Sequence, residues 1–325
     1  MAGRLHEASS SSDDDRGAMI PGMTSPQPPG SGTTVAVFGL GRMGVRIASR
    51  LADAGLTVRG YDPIERSAAL SFRTTSSPGD AVLDADLVLT ALPGSPELQE
   101  LAVGSTGLID LLPPGCAWID LTSTSPVLAH TLGQTAATSG VPFLKAPMGG
   151  GPSAAENGTL QLYVGGDPDL LERWRPVLAA FSNRMVHIGS HHAAGTMKLL
   201  VNQLWFGQAA MVAEAALLAT TAGIPPGRFR DLVLDGPAAS TFLERDWPGV
   251  LAGDYLHSFG LDRVVEELDS LLWEADRHDL PHVVGDAVAR IHREALQHLG
   301  PDAGELGAVA FAEAQAGRRL RDPVT

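Results

Sequence analysis

After about residue 32 the chain alternates short β-branched apolar runs with longer stretches of mixed polarity. Runs at 34–38 (TVAVF), 57–61, 87–91 (LVLTA), 117–120 (AWID), 142–145, 160–164 and 184–188 have strand length and predict buried strands. Residues 42–54, 126–139 and 168–181 predict helices between them. Strands alternating with helices imply a largely parallel, doubly wound sheet with helices on both faces, an α/β architecture. The alternation stops near Gly189. Residues 191–221, rich in Ala, Leu and Met, predict one long helix buried on several sides. Further helices are expected at 228–234, 261–276, 282–299 and 304–314. The pattern predicts two domains, a Rossmann-like unit over 33–190 and an all-helical unit over 191–325, with the long helix between them. Residues 1–32 are mostly Ser, Asp, Pro and Gly and predict a disordered extension ahead of the fold. They lack the basic and apolar regions of a secretory signal, and Met19 or Met23 is a candidate start.

A length of 325 residues suits two domains, and 44% hydrophobic with 18% charged residues is a globular composition. The net charge of −14 argues against nucleic acid as a partner, because phosphate binding needs a basic face. No run is long and apolar enough to suggest a membrane span. The single cysteine, Cys116, excludes an intrachain disulfide and agrees with a reducing, cytoplasmic setting.

Chemistry enters where the first strand meets Gly39-Leu40-Gly41-Arg42-Met43-Gly44 and then a helix. This G-x-G-x-x-G turn lies in the context that binds a dinucleotide: glycines for the tight turn and close approach to pyrophosphate, and a helix N-terminus for its charge. Asp62, eighteen residues past Gly44 at the end of the second strand, has the spacing of a carboxylate on the ribose hydroxyl, which favours NAD. It also has the place of a turn residue before Pro63, and nearby Arg66 leaves NADP open. Leu92 and Pro93, just past the 87–91 strand, complete the expected cofactor contacts.

The segment Asp120-Leu121-Thr122-Ser123-Thr124-Ser125-Pro126 begins a helix, with Ser125 as N-cap and Pro126 at the first position. Thr122 and Ser123 fall at a strand's carboxyl end, where ligands of such sheets bind. Gly149-Gly150-Gly151 follows a strand and implies close backbone approach to a ligand or another helix. On the long helix, Lys198 and Asn202 are four residues apart and share a face among apolar neighbours. They stand either as solvated surface groups or as an acid–base lysine with an amide that holds substrate oxygen. His191 and His192 are adjacent, point apart on a helix and have no evident third ligand, so no metal site is expected.

Taken in order, these motifs resemble the β-hydroxyacid dehydrogenase family, which includes 3-hydroxyisobutyrate dehydrogenases and tartronate semialdehyde reductases, with imine reductases as more distant relatives. The resemblance spans about residues 33–315. GLGRMG resembles the family's cofactor turn. DLTSTSP is similar to its D-x-S-T-x-x-P segment beside nicotinamide and substrate. KAPMGGGPSAAENGTLQLYVGG resembles A-P-V-S-G-G followed by G-T-L and V-G-G. TMKLLVNQ matches K-x-x-x-N, whose lysine is the family's catalytic residue. The resemblance implies hydride exchange between NAD(P) and a small 3-hydroxy acid or its semialdehyde. Lys198 would move the proton, Thr122, Ser123, Gly149, Gly150 and Asn202 would hold substrate, and Thr122 would also meet the cofactor. It further implies a homodimer, or a dimer of dimers, paired through the long helix.

Three departures stand out: Gly149 where the family has Ser, Glu266 where its K-D-L segment has Lys, and His192 and Ala194 in a run that usually carries glycine. They keep two alternatives in view. One is a reductase of another C=O or C=N substrate, as in imine reductases. The other is a non-catalytic cofactor-binding homologue, which the intact Lys198 and Asn202 oppose.

Overall fold

The computed structural model describes residues 32–64, 70–104 and 107–322. The expected extension before residue 32 and Arg66 lie outside the described residues. Nine strands form one sheet: β1 (Thr34–Phe38), β2 (Thr57–Tyr61), β3 (Arg73–Thr74), β4 (Leu87–Thr90), β5 (Ala117–Asp120), β6 (Phe143–Lys145), β7 (Met148–Gly149), β8 (Leu160–Gly166) and β9 (Ser182–Gly189). Their order is β3-β2-β1-β4-β5-β6-β8-β7, with β9 paired to β8. From β3 to β6 every pairing is parallel. The chain then turns back, so that β8 runs antiparallel to both β6 and β7, and β9 lies parallel to β8.

Period-two burial on both faces accounts for the apolar strands. Val35 and Val37 of β1 join Leu87, Leu89, Ala117 and Ile119 in one core layer. Ala36 and Phe38 join Val88 and Trp118 in the layer on the opposite face. The sheet is therefore covered on both sides, as the alternating pattern predicts. The sequence order reverses between β1 and β4, and at this switch point the crevice outside the strand ends suits a ligand.

Past β9 the described chain is helical. The helix His191–Thr221 opens with Ser190, whose side chain accepts the Ala193 N–H. Its small residues Ala209, Ala213 and Ala216 pack under Phe242, Leu243 and the fully buried Trp247. Phe206 packs on Leu261, Val264, Leu268 and Leu272 of the helix Leu261–Arg277. Alanine on several faces lets neighbouring helices approach the long one closely, and the ring and branched side chains of those neighbours pack around it. Two glycines seat the long helix, Gly165 against the sheet and Gly195 against the helix Pro126–Thr138. A Cβ at Gly165 would run into the Ser190 carbonyl, and one at Gly195 would crowd Pro126 and Ala129. The V-G-G segment thus serves helix packing.

Candidate functional site

The cofactor turn is built by the protein's own packing. Gly39 has φ +87°, and a Cβ there would strike the Ala91 carbonyl, while one at Gly44 would strike the carbonyl of Gly39. At Gly41 the same atom would meet nothing within 4 Å. Two glycines are thus required by the fold, and the third leaves open space where a pyrophosphate would approach. The helix that follows, Gly44–Asp53, has Met43 at its N-cap with no side-chain hydrogen bond. Arg42 is exposed beside it and Leu40 is buried. Asp62 reaches this turn across 22 residues: Oδ2 accepts the Leu40 N–H at 2.7 Å and Oδ1 accepts the Ile64 N–H at 2.9 Å. The Ile64 contact is the turn role expected before Pro63, and the Leu40 contact places the carboxylate at the edge of the glycine turn. The glycine cradle and the carboxylate at its edge fit a dinucleotide.

The ends of β4, β5 and β6 meet over a buried polar network. Lys145, fully buried, pairs with Asp120 and donates to the Thr122 carbonyl at 2.6 Å. Asp120 also accepts the Thr90 hydroxyl at 2.7 Å and the Thr122 N–H at 3.1 Å, and Trp118 Nε1 donates to Thr90 at 3.0 Å. Burial pulls the Lys145 ammonium below the usual lysine range, and Asp120 pulls it back. Thr122 is itself buried, and its hydroxyl accepts the Leu92 N–H at 3.1 Å. It lies beneath the cleft and holds the Leu92 loop, while Leu92 lies against Gly39. The motif DLTST is anchored from below by a lysine that the sequence pattern presented only as the end of a strand.

Above this network a cleft opens between the strand ends and the helical part. Pro93, Ser123, Leu199, Arg263 and Glu267 are among its walls. Gly149 and Gly150 are not among its lining residues. Gly150 has φ +119° and precedes the short helix Gly151–Asn157. A Cβ at Gly149 would make ordinary contact with Tyr163 at 3.7 Å, so packing does not demand glycine there.

Beside the cleft, Lys198 Nζ donates to Asn202 Oδ1 at 2.8 Å, and Asn202 Nδ2 donates to Glu267 Oε2 at 2.6 Å. Lysine only donates and the carboxylate accepts, so both ends of the Asn202 amide are oriented by its partners. Burial lowers the Lys198 pKa from 10.5, against the attraction of Glu267. Burial raises the Glu267 carboxyl, against Lys198 and the Asn202 hydrogen bond. Glu267 is the participant that sequence reasoning missed. Its signal was a carboxylate next to Leu268 on the buried side of an amphipathic helix. Glu266 points elsewhere: Oε2 accepts Arg263 Nη1 at 2.8 Å and Oε1 accepts the Ser95 N–H at 3.4 Å. Arg263 Nη2 donates to Glu97 at 2.5 Å, so one guanidinium ties the helical part to the first turn of the helix Ser95–Val103 beyond β4.

His191 and His192 do point apart, the first to the Phe143 carbonyl at 3.1 Å and the second to Glu274 at 3.3 Å. No group of three or more potential metal-ligating side chains occurs among the described residues. Among the same residues no single helix is long and apolar enough to cross a membrane.

A largely parallel sheet with a glycine cradle at its switch point, followed by a helical part that opens with one long helix, fits a nicotinamide-dependent oxidoreductase. Residues 34–189 match the model for the NAD-binding domain of 6-phosphogluconate dehydrogenase, and residues 193–312 match the NAD-binding domain model of NADP-dependent 3-hydroxyisobutyrate dehydrogenase. The chain belongs to the β-hydroxyacid dehydrogenase family, with NAD or NADP as its cofactor. A probable 3-hydroxyisobutyrate dehydrogenase of Mycobacterium tuberculosis is 32% identical over 205 residues, covering 62% of this chain and 69% of that one. The solved Mycobacterium tuberculosis 3-hydroxyisobutyrate dehydrogenase with L-serine superposes with a TM-score of 0.76 at 25% identity, over 86% of this chain and 98% of that one. An imine reductase of Myxococcus stipitatus in complex with NAD+ shares the fold, with a TM-score of 0.52 at 23% identity over 86% of this chain and 98% of that one.

Proposed function

We propose that this enzyme interconverts an alcohol and its carbonyl compound in the cleft beside Lys198, with Lys198 as the group that takes and returns the proton on oxygen. The observation that carries the reading is the Lys198–Asn202–Glu267 chain at 2.8 and 2.6 Å beside the strand ends. NAD(P), when bound in the Gly39–Gly44 cradle, supplies the hydride acceptor or donor. In oxidation the neutral Nζ of Lys198 accepts the hydroxyl proton as the C–H bond is lost and C=O forms. In reduction its ammonium returns that proton to the oxygen. Asn202 holds Nζ in place, Glu267 holds Asn202, and Ser123, a lining residue of the cleft, offers a hydroxyl to the substrate oxygen. Leu40, Arg42, Met43, Leu92 and Pro93 frame the cofactor. Thr122 positions Leu92 from below. Asp62, a carboxylate at the cradle, favours NAD over NADP because an added phosphate would be repelled.

The proposed units are 33–190 for the cofactor and 191–325 for substrate and pairing. Met197, Leu204, Met211 and Leu218 repeat at seven-residue intervals along the long helix and are exposed. Such a stripe fits a homodimer seam. Buried Cys116, the single cysteine of the chain with a thiol pushed up to about 12, fits a reducing cytoplasm. A panel of alcohols and carbonyls, followed by nicotinamide absorbance with both cofactors, tests the reading. Turnover that depends on Lys198 supports it, and cofactor binding without any turnover contradicts it.

A further inference from the structure

The lining of the cleft contains more negative than positive side chains, and the cations at it and beside it are committed. Arg263 spends its fork on Glu266 and Glu97 at 2.8 and 2.5 Å. Lys198 is engaged with Asn202 and, in the function proposed above, with the reacting oxygen. Among the lining residues two carboxylates, Glu266 and Glu267, stand against the one cation, Arg263, with Glu97 behind Arg263 and Lys198 reached through Asn202. Glu267 accepts through Oε2 alone among the described residues, so Oε1 remains for a donor. The remaining polar side chains of the walls are the hydroxyls of Ser95, Ser123, Thr124, Ser125 and Ser270. A carboxylate brought into this space finds no unengaged cation. It meets the field of Glu267 in surroundings where charges interact more strongly than in water.

We infer that the substrate of this cleft carries a hydrogen-bond donor without negative charge beside its reacting carbon, an ammonium above all, so that an amino alcohol and its amino carbonyl partner fit where a hydroxy acid does not. The inference rests on the proposed Lys198 chemistry for its reaction but not for its recognition. Glu267 Oε1 accepts from the ammonium, and the hydroxyl walls complete its shell. The reaction balances as an alcohol oxidation: the carbinol C–H leaves as hydride to NAD(P)+, the O–H proton goes to Lys198, and C=O remains.

The test uses full-length protein with NAD+ and matched primary alcohols of equal length ending in ammonium, amide or carboxylate. The ammonium alcohol should exceed the carboxylate by at least about tenfold in kcat/KM, with the amide between them. Glu267→Gln should erase the advantage of the ammonium over the amide. Glu266→Lys, which adds a cation to the rim, should narrow the gap to the carboxylate. Because each readout is a ratio between substrates, a general loss of activity does not obscure it. In parallel, calorimetry on the NAD+ complex compares a simple alkylammonium with the alkanoate of equal length. Equal or better turnover of the carboxylate, or tighter alkanoate binding, overturns the inference and leaves the oxidoreductase reading standing. Ammonium binding without turnover of any alcohol keeps the inference and removes the proposed role of Lys198. Failure of every probe to bind overturns the inference.

Discussion

Asn202, on the long helix, donates to Glu267 on the helix Leu261–Arg277 at 2.6 Å, joining two elements 65 residues apart in sequence. Because the same amide accepts from Lys198, the orientation of the lysine depends on a carboxylate from another helix.

This dependence sets a pH signature. The Lys198 pKa lies below its usual 10.5, chiefly through burial, and Glu267 holds it up. Alcohol oxidation needs the neutral amine, so its rate should rise with pH and level off below the pH at which an ordinary lysine deprotonates. Replacing Glu267 with Gln removes the opposing charge, lowers the Lys198 pKa further and should move the rising limb to lower pH. Profiles of kcat for the two proteins check this. A limb that stays in place or moves upward means that Glu267 does not act on Lys198.

Asn202→Ala should cost about 10–100-fold in kcat/KM, the value of a charge-assisted hydrogen bond. Part of the loss should appear in KM, since the amide positions the lysine against the substrate. Steady-state kinetics with cofactor saturating separates the two effects. An unchanged kcat/KM contradicts the positioning role.

Asp62 should decide the cofactor. NAD(H) is expected to bind more tightly than NADP(H). Asp62→Asn keeps an acceptor for the Leu40 N–H, seen at 2.7 Å, while removing the charge that repels a phosphate. The variant should narrow the preference mainly by improving NADP(H). Calorimetric titration of both cofactors measures it, and an unchanged preference assigns discrimination to other residues.

Lys145→Met leaves Asp120 buried without its cation and should cost about 3–5 kcal/mol in denaturant unfolding. The double change Lys145→Met with Asp120→Asn should recover much of that loss, because no uncompensated charge remains. A double variant as unstable as the single one would show that the ion pair itself, not the orphaned charge, sets the energy.

Much of this fold was legible in the residues because its strands are apolar on both faces and its turns are glycine-bearing. The runs at 34–38, 57–61 and 117–120 coincide with β1, β2 and β5, and 191–221 with the long helix. The short strands β3 and β7, two residues each, show no period and escaped detection. The helices Ser95–Val103 and Trp247–Ala252 were missed for a related reason: each is brief and carries Pro in its first turn. At the site, Lys198 and Asn202 were visible because they are four residues apart on one helix. Glu267 and the Lys145–Asp120 pair were not, since such partnerships form only when separate elements pack. Gly165, which entered only through the V-G-G resemblance, admits the start of the long helix, a packing role that shows only once the two elements meet.

The most direct test of the proposed chemistry is Lys198→Met, which keeps a long apolar stem and removes the proton carrier. With a substrate that turns over, kcat should fall by about 10²–10⁴-fold. NAD(H) affinity should change little, because the cradle lies at Gly39–Gly44 on a different element. Measured side by side, a large loss in kcat with unchanged cofactor binding is the predicted result. A Met variant with nearly full kcat would contradict the assignment of Lys198 as the proton-transfer group.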